Sequence, residues 1–232
     1  MQIAEKKMKF RHELKYYLSM ADCLTIQSRL SRIAQHDENC GENGTYRIRS
    51  LYFETPDDKV LTEKLYGIME REKFRIRFYN GSTSFIRLEK KLKINTLSSK
   101  VTCRITKDEV EKILAGDYEW MRDSGRALLL ELYVKMKYEQ LRPRTIVDYD
   151  RESFIYAPGN VRVTLDTNIQ TGVSSTDLFN PETPVVKAHG VPVIIMEVKY
   201  DNFLPAIIKC MVQMPNRRVT AFSKYAVARV FG

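Results

Sequence analysis

Cysteine and histidine are scarce in this chain, and their spacing builds no recognisable site. The four cysteines form no C-x-x-C pair, and the three histidines do not cluster with them. This pattern argues against a zinc site and against a disulfide framework, so we expect a protein of the reducing cytoplasm. The chain also lacks a Ser/His/Asp or Cys/His constellation, so nucleophilic catalysis by a side chain is not indicated.

Long apolar runs are missing as well. No run approaches the roughly 18–20 residues of a membrane-spanning helix. The first eleven residues carry several charges and lack the apolar core of a signal peptide. Work at a membrane would therefore need a separate anchor or a membrane partner. Because internal repeats, low-complexity segments and Gly/Ser linkers are absent too, we expect a single domain over residues 1–232.

What the chain has in abundance is positive charge. Its 38 basic and 29 acidic residues give a net charge of +9, and 44% of its 232 residues are hydrophobic. The hydrophobic share is enough to form a substantial core, and the charge favours an anionic partner. Nucleic acid, a membrane surface, a nucleotide and polyphosphate all stay open on charge alone.

The arrangement of the charge is more informative than its total. Cations recur at every second residue in segments such as Lys73, Arg75 and Arg77, which is the period of a β-strand. The residues between them, Phe74 and Ile76, are apolar. Each such strand therefore has one charged face and one apolar face. The other segments are 11–15, 89–91, 100–104 and 197–199, and several of them carry an acid on the same face as the cations.

Periodicity and turn residues predict about eight strands, with helices between some of them. Strands are predicted over residues 10–18, 46–53, 73–79, 85–93, 99–105, 144–154, 162–167 and 193–200. Helices are predicted from Ser19 to about Gln35, over 59–66, from Thr106 to near Gly116, over 127–140, from Pro205 and from Ser223. The hairpins and long connections suit a mostly antiparallel sheet.

A charged face on so many strands cannot pack against a dry core, because unpaired buried charges cost several kcal/mol each. If the sheet closes into a barrel, the charged face lines a wet lumen and the apolar face carries the helices. The predicted fold is therefore α+β, a closed eight-stranded antiparallel β-barrel with helices packed outside. The residues assigned to the lumen are Glu13, Lys15, Arg75, Arg77, Glu89, Lys91, Lys100, Arg104, Arg151, Arg162, Asp166, Glu197, Lys199 and, from the last helix, Lys224.

This set contains ten cations and four acids. The excess of positive charge is more than one triphosphate needs, which fits a longer chain of phosphates. Carboxylates aimed at the same lumen would repel phosphate by themselves. They are explained if they bind Mg²⁺ or Mn²⁺, because these ions take carboxylate and phosphate oxygens together. Glu197 and Glu89 are the candidate ligands.

Seven short motifs occur along the chain in a specific order. They are RHELKY at 11–16, SLYFE at 50–54, RIR at 75–77, RESF at 151–154, VRVTLD at 161–166, MEVKY at 196–200 and SKY at 223–225. In this order they resemble the VTC domain, the polyphosphate polymerase domain of the vacuolar transporter chaperone complex, found also in stand-alone bacterial proteins. That domain belongs to the triphosphate tunnel metalloenzymes, and the resemblance covers about residues 8–230.

The resemblance implies a tunnel of eight antiparallel strands in which the γ-phosphate of ATP is transferred to a growing polyphosphate chain with Mn²⁺ or Mg²⁺. It implies ATP, inorganic polyphosphate and pyrophosphate as partners, together with a membrane protein that exports the product. Glu197 would be the metal ligand, and Lys100 and Arg104 match the family's basic strand loosely. The cations that grip phosphates would be Lys15, Arg75, Arg77, Lys91, Arg151, Arg162, Lys199 and Lys224.

Two positions depart from related patterns. The CYTH branch of triphosphatases and adenylyl cyclases opens with E-x-E-x-K, and this chain has Arg11 in place of the first acid, which favours the VTC type. Just before the final S-K-Y motif, eukaryotic polymerases carry a lysine where this chain has Ala221. Arg217 and Arg218 are the candidates to replace that lysine.

The sequence thus predicts a metal-dependent polyphosphate polymerase. Two alternatives with the same fold stay open: an inorganic or nucleoside triphosphatase, and a non-catalytic module that binds polyphosphate or inositol phosphates. A nucleic-acid partner is not expected, because its cations would lie on an exposed patch with interleaved aromatic residues. The cations of this chain alternate on strands that are backed by core residues.

Overall fold

Long antiparallel strands dominate the computed structural model, which describes residues 9–41, 43–188 and 193–230. The eight predicted strands are present, and two strands of two residues each, β2 and β9, add to them. In chain order the strands are β1 Arg11–Leu18, β2 Gln35–His36, β3 Thr45–Glu54, β4 Glu70–Tyr79, β5 Ser82–Ile94, β6 Leu97–Ile105, β7 Arg142–Tyr156, β8 Val161–Thr171, β9 Val186–Lys187 and β10 Ile194–Tyr200.

Eight of these strands form a ring. They pair in the order β7-β3-β4-β5-β6-β1-β10-β8, and a further pairing between β7 and β8 closes the circle. All of these pairings are antiparallel. The shortest one joins β1 to β6, because only Arg11 and His12 of β1 take part. The predicted antiparallel sheet of eight strands is therefore confirmed, and its ring gives every strand an inner and an outer face.

Two of the helices begin where capping signals placed them. Capping boxes begin α1 at Ser19 and α3 at Thr106. The first helix ends at Leu30 rather than near Gln35, because the chain turns there and Gln35 pairs with β7. None of the described helices is long and apolar enough to cross a membrane. The helices are α1 Met20–Leu30, α2 Lys59–Leu65, α3 Lys107–Leu114, α4 Ala127–Tyr138, α5 Ala206–Val212 and α6 Lys224–Val230.

The outer faces of the strands are buried under helices. One apolar cluster packs β4 and β5, with residues such as Phe74 and Ile76, against α3 and α4. A second cluster packs α1 and α5 against β8 and β10. Each fully buried side chain of this size contributes about 1.5–3 kcal/mol to folding. Because the apolar side chains face the helices on the outside, the charged side chains that alternate with them point into the ring.

The last helix, α6, is an exception to the prediction that the helices pack outside. Its Tyr225 is buried in a cluster with Tyr52 and Ile195, whose side chains share the inner face with the cations. The rings of Tyr225 and Tyr52 lie 5.2 Å apart. The adjacent Lys224 pairs with Asp166, another inner-face residue. Helix α6 therefore covers one end of the ring from within.

Candidate functional site

The interior of the ring holds a cavity of about 640 Å³ with a predominantly basic wall. Thirteen Lys and Arg side chains line it, against two carboxylates. The predicted strand parity explains this arrangement, because residues two apart on a strand point to the same face. Ten of the candidate residues lie in this wall, namely Lys15, Arg75, Arg77, Lys91, Lys100, Arg151, Arg162, Glu197, Lys199 and Lys224.

Arg75 and Arg77 of β4 are held by Glu89 of the neighbouring strand β5. Glu89 Oε2 lies 2.6 Å from Arg75 Nη2 and 3.7 Å from Arg77 Nη1. Glu89 Oε1 accepts a hydrogen bond from Lys100 Nζ at 2.9 Å. Burial alone would raise the pKa of Glu89, but the three cations outweigh it and hold that pKa well below its usual value. Glu89 is therefore ionised and orients the guanidinium groups.

A second carboxylate, Glu197 of β10, is surrounded by four cations. Lys199 Nζ and Arg151 Nη2 lie 3.0 and 3.7 Å from its Oε2. Lys224 Nζ and Lys15 Nζ lie 3.4 and 3.5 Å from its Oε1. Burial raises the pKa of Glu197, but these cations outweigh burial and hold the pKa well below the usual value. The carboxylate is ionised and neutralises only part of the charge around it, so positive charge is left for an anion.

Lys15 of β1 bridges two carboxylates. Its Nζ lies 3.1 Å from Glu13 Oε1 and 3.5 Å from Glu197 Oε1. Burial would lower the pKa of Lys15, but Glu13 and Glu197 outweigh burial and raise it. Glu13 also pairs with Lys91 at 2.5 Å. Burial nevertheless lowers the pKa of Lys91 to about 8. The two lysines therefore differ: Lys15 is firmly charged, and Lys91 titrates near neutral pH.

Arg151 and Arg162 extend the basic wall on β7 and β8. Arg151 makes a two-point ion pair with Asp166, at 2.6 Å from Nε to Oδ1 and 2.8 Å from Nη2 to Oδ2. Arg162 donates to Ser153 Oγ at 2.8 Å and pairs with Asp37. Such fixed guanidinium groups match phosphate oxygens two at a time. Partners within the protein therefore position both guanidinium groups.

Two of the twelve candidate site residues, Glu89 and Arg104, do not line the cavity, and neither does Asp166 of the predicted lumen set. Glu89 is fully buried beside Arg75, so its role as a metal ligand stays a prediction. Arg104 is exposed: its guanidinium lies 5.4 Å from the Phe85 ring centre and donates to the Ser84 carbonyl at 3.0 Å. Strand parity places it on the inner face, and its partner across the strands, Arg87, does line the cavity. Arg104 itself turns toward Ser84 and Phe85 and stays outside the lining.

The candidates to replace a lysine at Ala221 lie outside the main cavity as well. Arg217 Nε donates to Asp22 of α1 at 2.7 Å, and neither Arg217 nor Arg218 lines the cavity. Both arginines are exposed.

Several residues that support the site were left out of the predicted lumen set, although Lys73 had been named in the alternating segment with Arg75 and Arg77. Arg77 donates from Nε to Ser50 Oγ at 2.9 Å and from Nη2 to Tyr149 OH at 2.8 Å. Lys73 also lines the cavity, and within the described part of the chain it forms no ion pair. Lys73 and Tyr149 each stand two residues before a site arginine on the same strand face. Strand parity, followed one step further, would have found them.

The donors around Glu197 fit a divalent ion only together with a bound phosphate. Among the described residues, no group of three or more His, Cys, Asp or Glu side chains is placed to hold a metal ion. Mg²⁺ is usually bound through one or two carboxylates plus phosphate oxygens rather than by an all-protein cage. Glu197 is one carboxylate in a wall built for anions, and Mn²⁺ accepts the same oxygen ligands.

An antiparallel ring of eight strands with a basic interior and outer helices defines the class of the protein, an α+β tunnel-like fold. A family model described as the VTC domain matches residues 10–231, so the chain belongs to the VTC domain family. No curated protein sequence gives a significant match.

Solved structures are similar in fold. A candidate adenylate cyclase from Bacillus halodurans aligns with a TM-score of 0.50 at 16% identity, covering 83% of this chain and 81% of its own. A conserved hypothetical protein from Pyrococcus furiosus aligns with a TM-score of 0.45 at 12% identity, covering 87% and 85%. At such identities the first alignment supports the fold alone.

Proposed function

We propose that this protein is a metal-dependent polyphosphate polymerase that transfers the γ-phosphate of ATP to a polyphosphate chain. The observation that carries the proposal is the convergence of ten candidate residues on one basic cavity in a chain of the VTC domain family. Thirteen cations against two carboxylates are more than one triphosphate would neutralise. The surplus favours a ligand with more phosphates than ATP.

Opposite walls of the ring would grip the phosphates. Strand β4 carries Arg75 and Arg77, and β10, which carries Lys199, is four strands away in either direction round the ring. Ion pairs and hydrogen bonds within the wall already fix the two guanidinium groups. This preorganisation would hold donor and acceptor in line, which is most of what phosphoryl transfer needs from a protein.

In the proposed reaction, a terminal oxygen of the polyphosphate chain forms a bond to the γ-phosphorus of ATP. The bond from that phosphorus to the β–γ bridging oxygen breaks, and ADP leaves with the bridging oxygen. The acceptor oxygen is already anionic, so no strong general base is required. The arginines would compensate the charge of the transferring group. A divalent ion held by Glu197 and phosphate oxygens would add further charge compensation.

Incubation of the protein with ATP and Mn²⁺, followed by gel electrophoresis of the products, tests this function. A polymerase leaves ADP and a ladder of long polyphosphate. A triphosphatase of the same fold releases orthophosphate without polymer. A non-catalytic binding module retains polyphosphate but converts no ATP. Either of the last two results would contradict the proposed activity.

A further inference from the structure

The hydroxyl group of Tyr52 is a nucleophile in the main cavity that the proposed polymerase reaction does not use. Tyr52 lies on β3 and lines the cavity, directly opposite Arg75 in the pairing of β3 with β4. Its hydroxyl oxygen accepts a hydrogen bond from Arg75 Nη1 at 3.0 Å, and among the described residues it has no other hydrogen-bond partner. The side chain is only 2% exposed, so a reagent must enter the cavity to reach it.

Arg75 directs a bound phosphate group to this hydroxyl. Glu89 occupies Arg75 Nε and Nη2, at 2.7 and 2.6 Å from its Oε2. The remaining nitrogen, Nη1, donates one hydrogen to Tyr52 and carries a second one. Guanidinium N–H groups bind phosphate oxygens strongly. A phosphate group that accepts from Nη1 therefore lies next to the Tyr52 hydroxyl oxygen.

Lys73 adds positive charge at the same place. Its Nζ lies 5.2 Å from the centre of the Tyr52 ring, and within the described ranges it has no carboxylate partner. A phosphate group would supply the missing negative charge, so Lys73 attracts it toward Tyr52. Burial alone would raise the pKa of Tyr52, but the charges of Arg75, Lys73 and Arg77 outweigh burial and lower that pKa. A lowered pKa activates a hydroxyl as a nucleophile.

Two other tyrosines of the cavity also accept hydrogen bonds from site arginines, but their surroundings differ. Arg162 donates to the Tyr46 hydroxyl at 2.9 Å and also pairs with a carboxylate. Lys224 Nζ lies 4.7 Å from the centre of the Tyr149 ring, but Lys224 pairs with two carboxylates. Among the described residues, Tyr52 is the one of these three tyrosines with an unpaired lysine beside its ring.

We propose that Tyr52 accepts the γ-phosphate of ATP, so that the protein phosphorylates itself inside its own cavity. This inference rests on the proposed function, because ATP bound in the cavity is the donor. The Tyr52 hydroxyl oxygen forms a bond to the γ-phosphorus, the bond from that phosphorus to the β–γ bridging oxygen breaks, and ADP leaves with the bridging oxygen. The hydroxyl proton passes to solvent, which reaches the cavity at the exposed residues Ser82 and Ser84. Arg75 and Lys73 would hold the resulting phosphate ester.

Incubation of the protein with ATP that is radiolabelled in its γ-phosphate, in the presence of Mn²⁺, tests the inference. After denaturation, digestion and mass spectrometry, the phosphate should be found on Tyr52 and not on Tyr46 or Tyr149. The label should survive acid, as a tyrosine ester does. Tyr52→Phe should lose the label, whereas the control Tyr138→Phe, at an exposed tyrosine, should be labelled like the wild type.

Three results would overturn the inference: no phosphate on Tyr52 of the wild type, a label that is lost in acid because it sits on a lysine, and full labelling of Tyr52→Phe. The labelled fraction should also grow at the same rate at every protein concentration, because donor and acceptor share one cavity. A rate that rises with protein concentration shows transfer between molecules and refutes the inference. Should Tyr52→Phe not fold, the position of the phosphate in the wild type decides.

The outcomes also separate self-phosphorylation from the proposed polymerase activity. Phosphate on Tyr52 in a protein that makes no polymer supports self-phosphorylation and refutes the polymerase. Polymer synthesis by a wild type that carries no phosphate on Tyr52 refutes self-phosphorylation and leaves the polymerase standing.

Discussion

Lys73 lies directly opposite Lys91 across strands β4 and β5. Lys91 has a carboxylate partner, Glu13, at 2.5 Å, whereas Lys73 pairs with none in the described part of the chain. Burial, reinforced by Lys91 and other nearby cations, lowers the pKa of Lys73 to about 7. The charged ammonium form of Lys73 is therefore unfavourable in the cavity wall until an anion binds beside it.

Binding of tripolyphosphate should therefore take up protons at about pH 8, where Lys73 of the unliganded protein is mostly neutral. A bound anion raises the pKa of Lys73, so its ammonium form is restored. Affinity should accordingly fall as the pH rises above about 7. Titration calorimetry in two buffers of different ionisation enthalpy measures the uptake. Lys73→Met should reduce the proton uptake, whereas the control Lys90→Met, on the opposite face of the sheet, should leave it unchanged. Equal uptake by wild type and Lys73→Met would contradict the assignment of the uptake to Lys73.

Arg75→Ala should lower the rate of polyphosphate synthesis by about 100-fold or more, because a fixed charge opposite the transferring group is lost. The fold should persist, since Glu89 keeps Arg77 and Lys100 as partners. Initial rates with ATP and Mn²⁺, together with circular dichroism, check both points. Lys90→Ala is the control on the outer face. Wild-type turnover by Arg75→Ala would remove the basis for placing the reaction in this cavity.

Glu197→Gln should lower turnover about 100-fold or more, because the proposed metal ligand is lost. The remaining rate should no longer depend on the metal concentration. Binding of tripolyphosphate without metal should be retained, because the four surrounding cations stay in place. Metal titration of the rate in Glu197→Gln and Glu89→Gln decides between the two candidate ligands. If only Glu89→Gln changes the metal dependence, Glu89 is the ligand and the assignment of Glu197 is wrong.

Tyr225→Phe should lower the free energy of unfolding by about 1–2 kcal/mol. The Tyr225 hydroxyl donates to Glu54, and the Glu54 carboxylate also accepts from the backbone N–H groups of Val60 and Leu61. The bond thereby ties α6 to the first turn of α2. Urea denaturation measures the loss. Tyr138→Phe, at an exposed tyrosine, is the control; an equal loss in both variants would show that this buried bond has no special role.

The local pattern of the sequence was sufficient to predict the strands and the direction of their charged faces. Phe74 and Ile76 had to be buried, and in a period of two this places Arg75 and Arg77 on the other face. The capping box at Thr106 likewise placed α3 within a residue of its observed start. These features depend on residues that are neighbours in the chain, so they can be predicted from the sequence alone.

The partners of each charge could be predicted only in part. Arg75 faces Glu89 across a hairpin, a short-range pairing that the turn at Asn80 indicates. In contrast, Arg151 and Lys224 meet Glu197 from β7 and α6, which are distant in the sequence. Strand parity gives the face of each residue but not its height along the ring. Parity also does not give the course of a long side chain: Arg104 was assigned to the wall, but its guanidinium turns to the Phe85 ring and the Ser84 carbonyl.

By itself the sequence determined the eight amphipathic strands, the inward set of cations and the resemblance to one family, because alternation and short motifs are local. The tertiary structure alone decided that α6 enters the ring, that Glu89 holds arginines from behind the wall, and that the Tyr52 hydroxyl meets Arg75 in the cavity. Those features depend on the register in which the strands pair round the closed ring. A shift of one strand by one residue would change every pair of residues that face each other across it. No single segment carries that information, since it arises only when all the strands pack together.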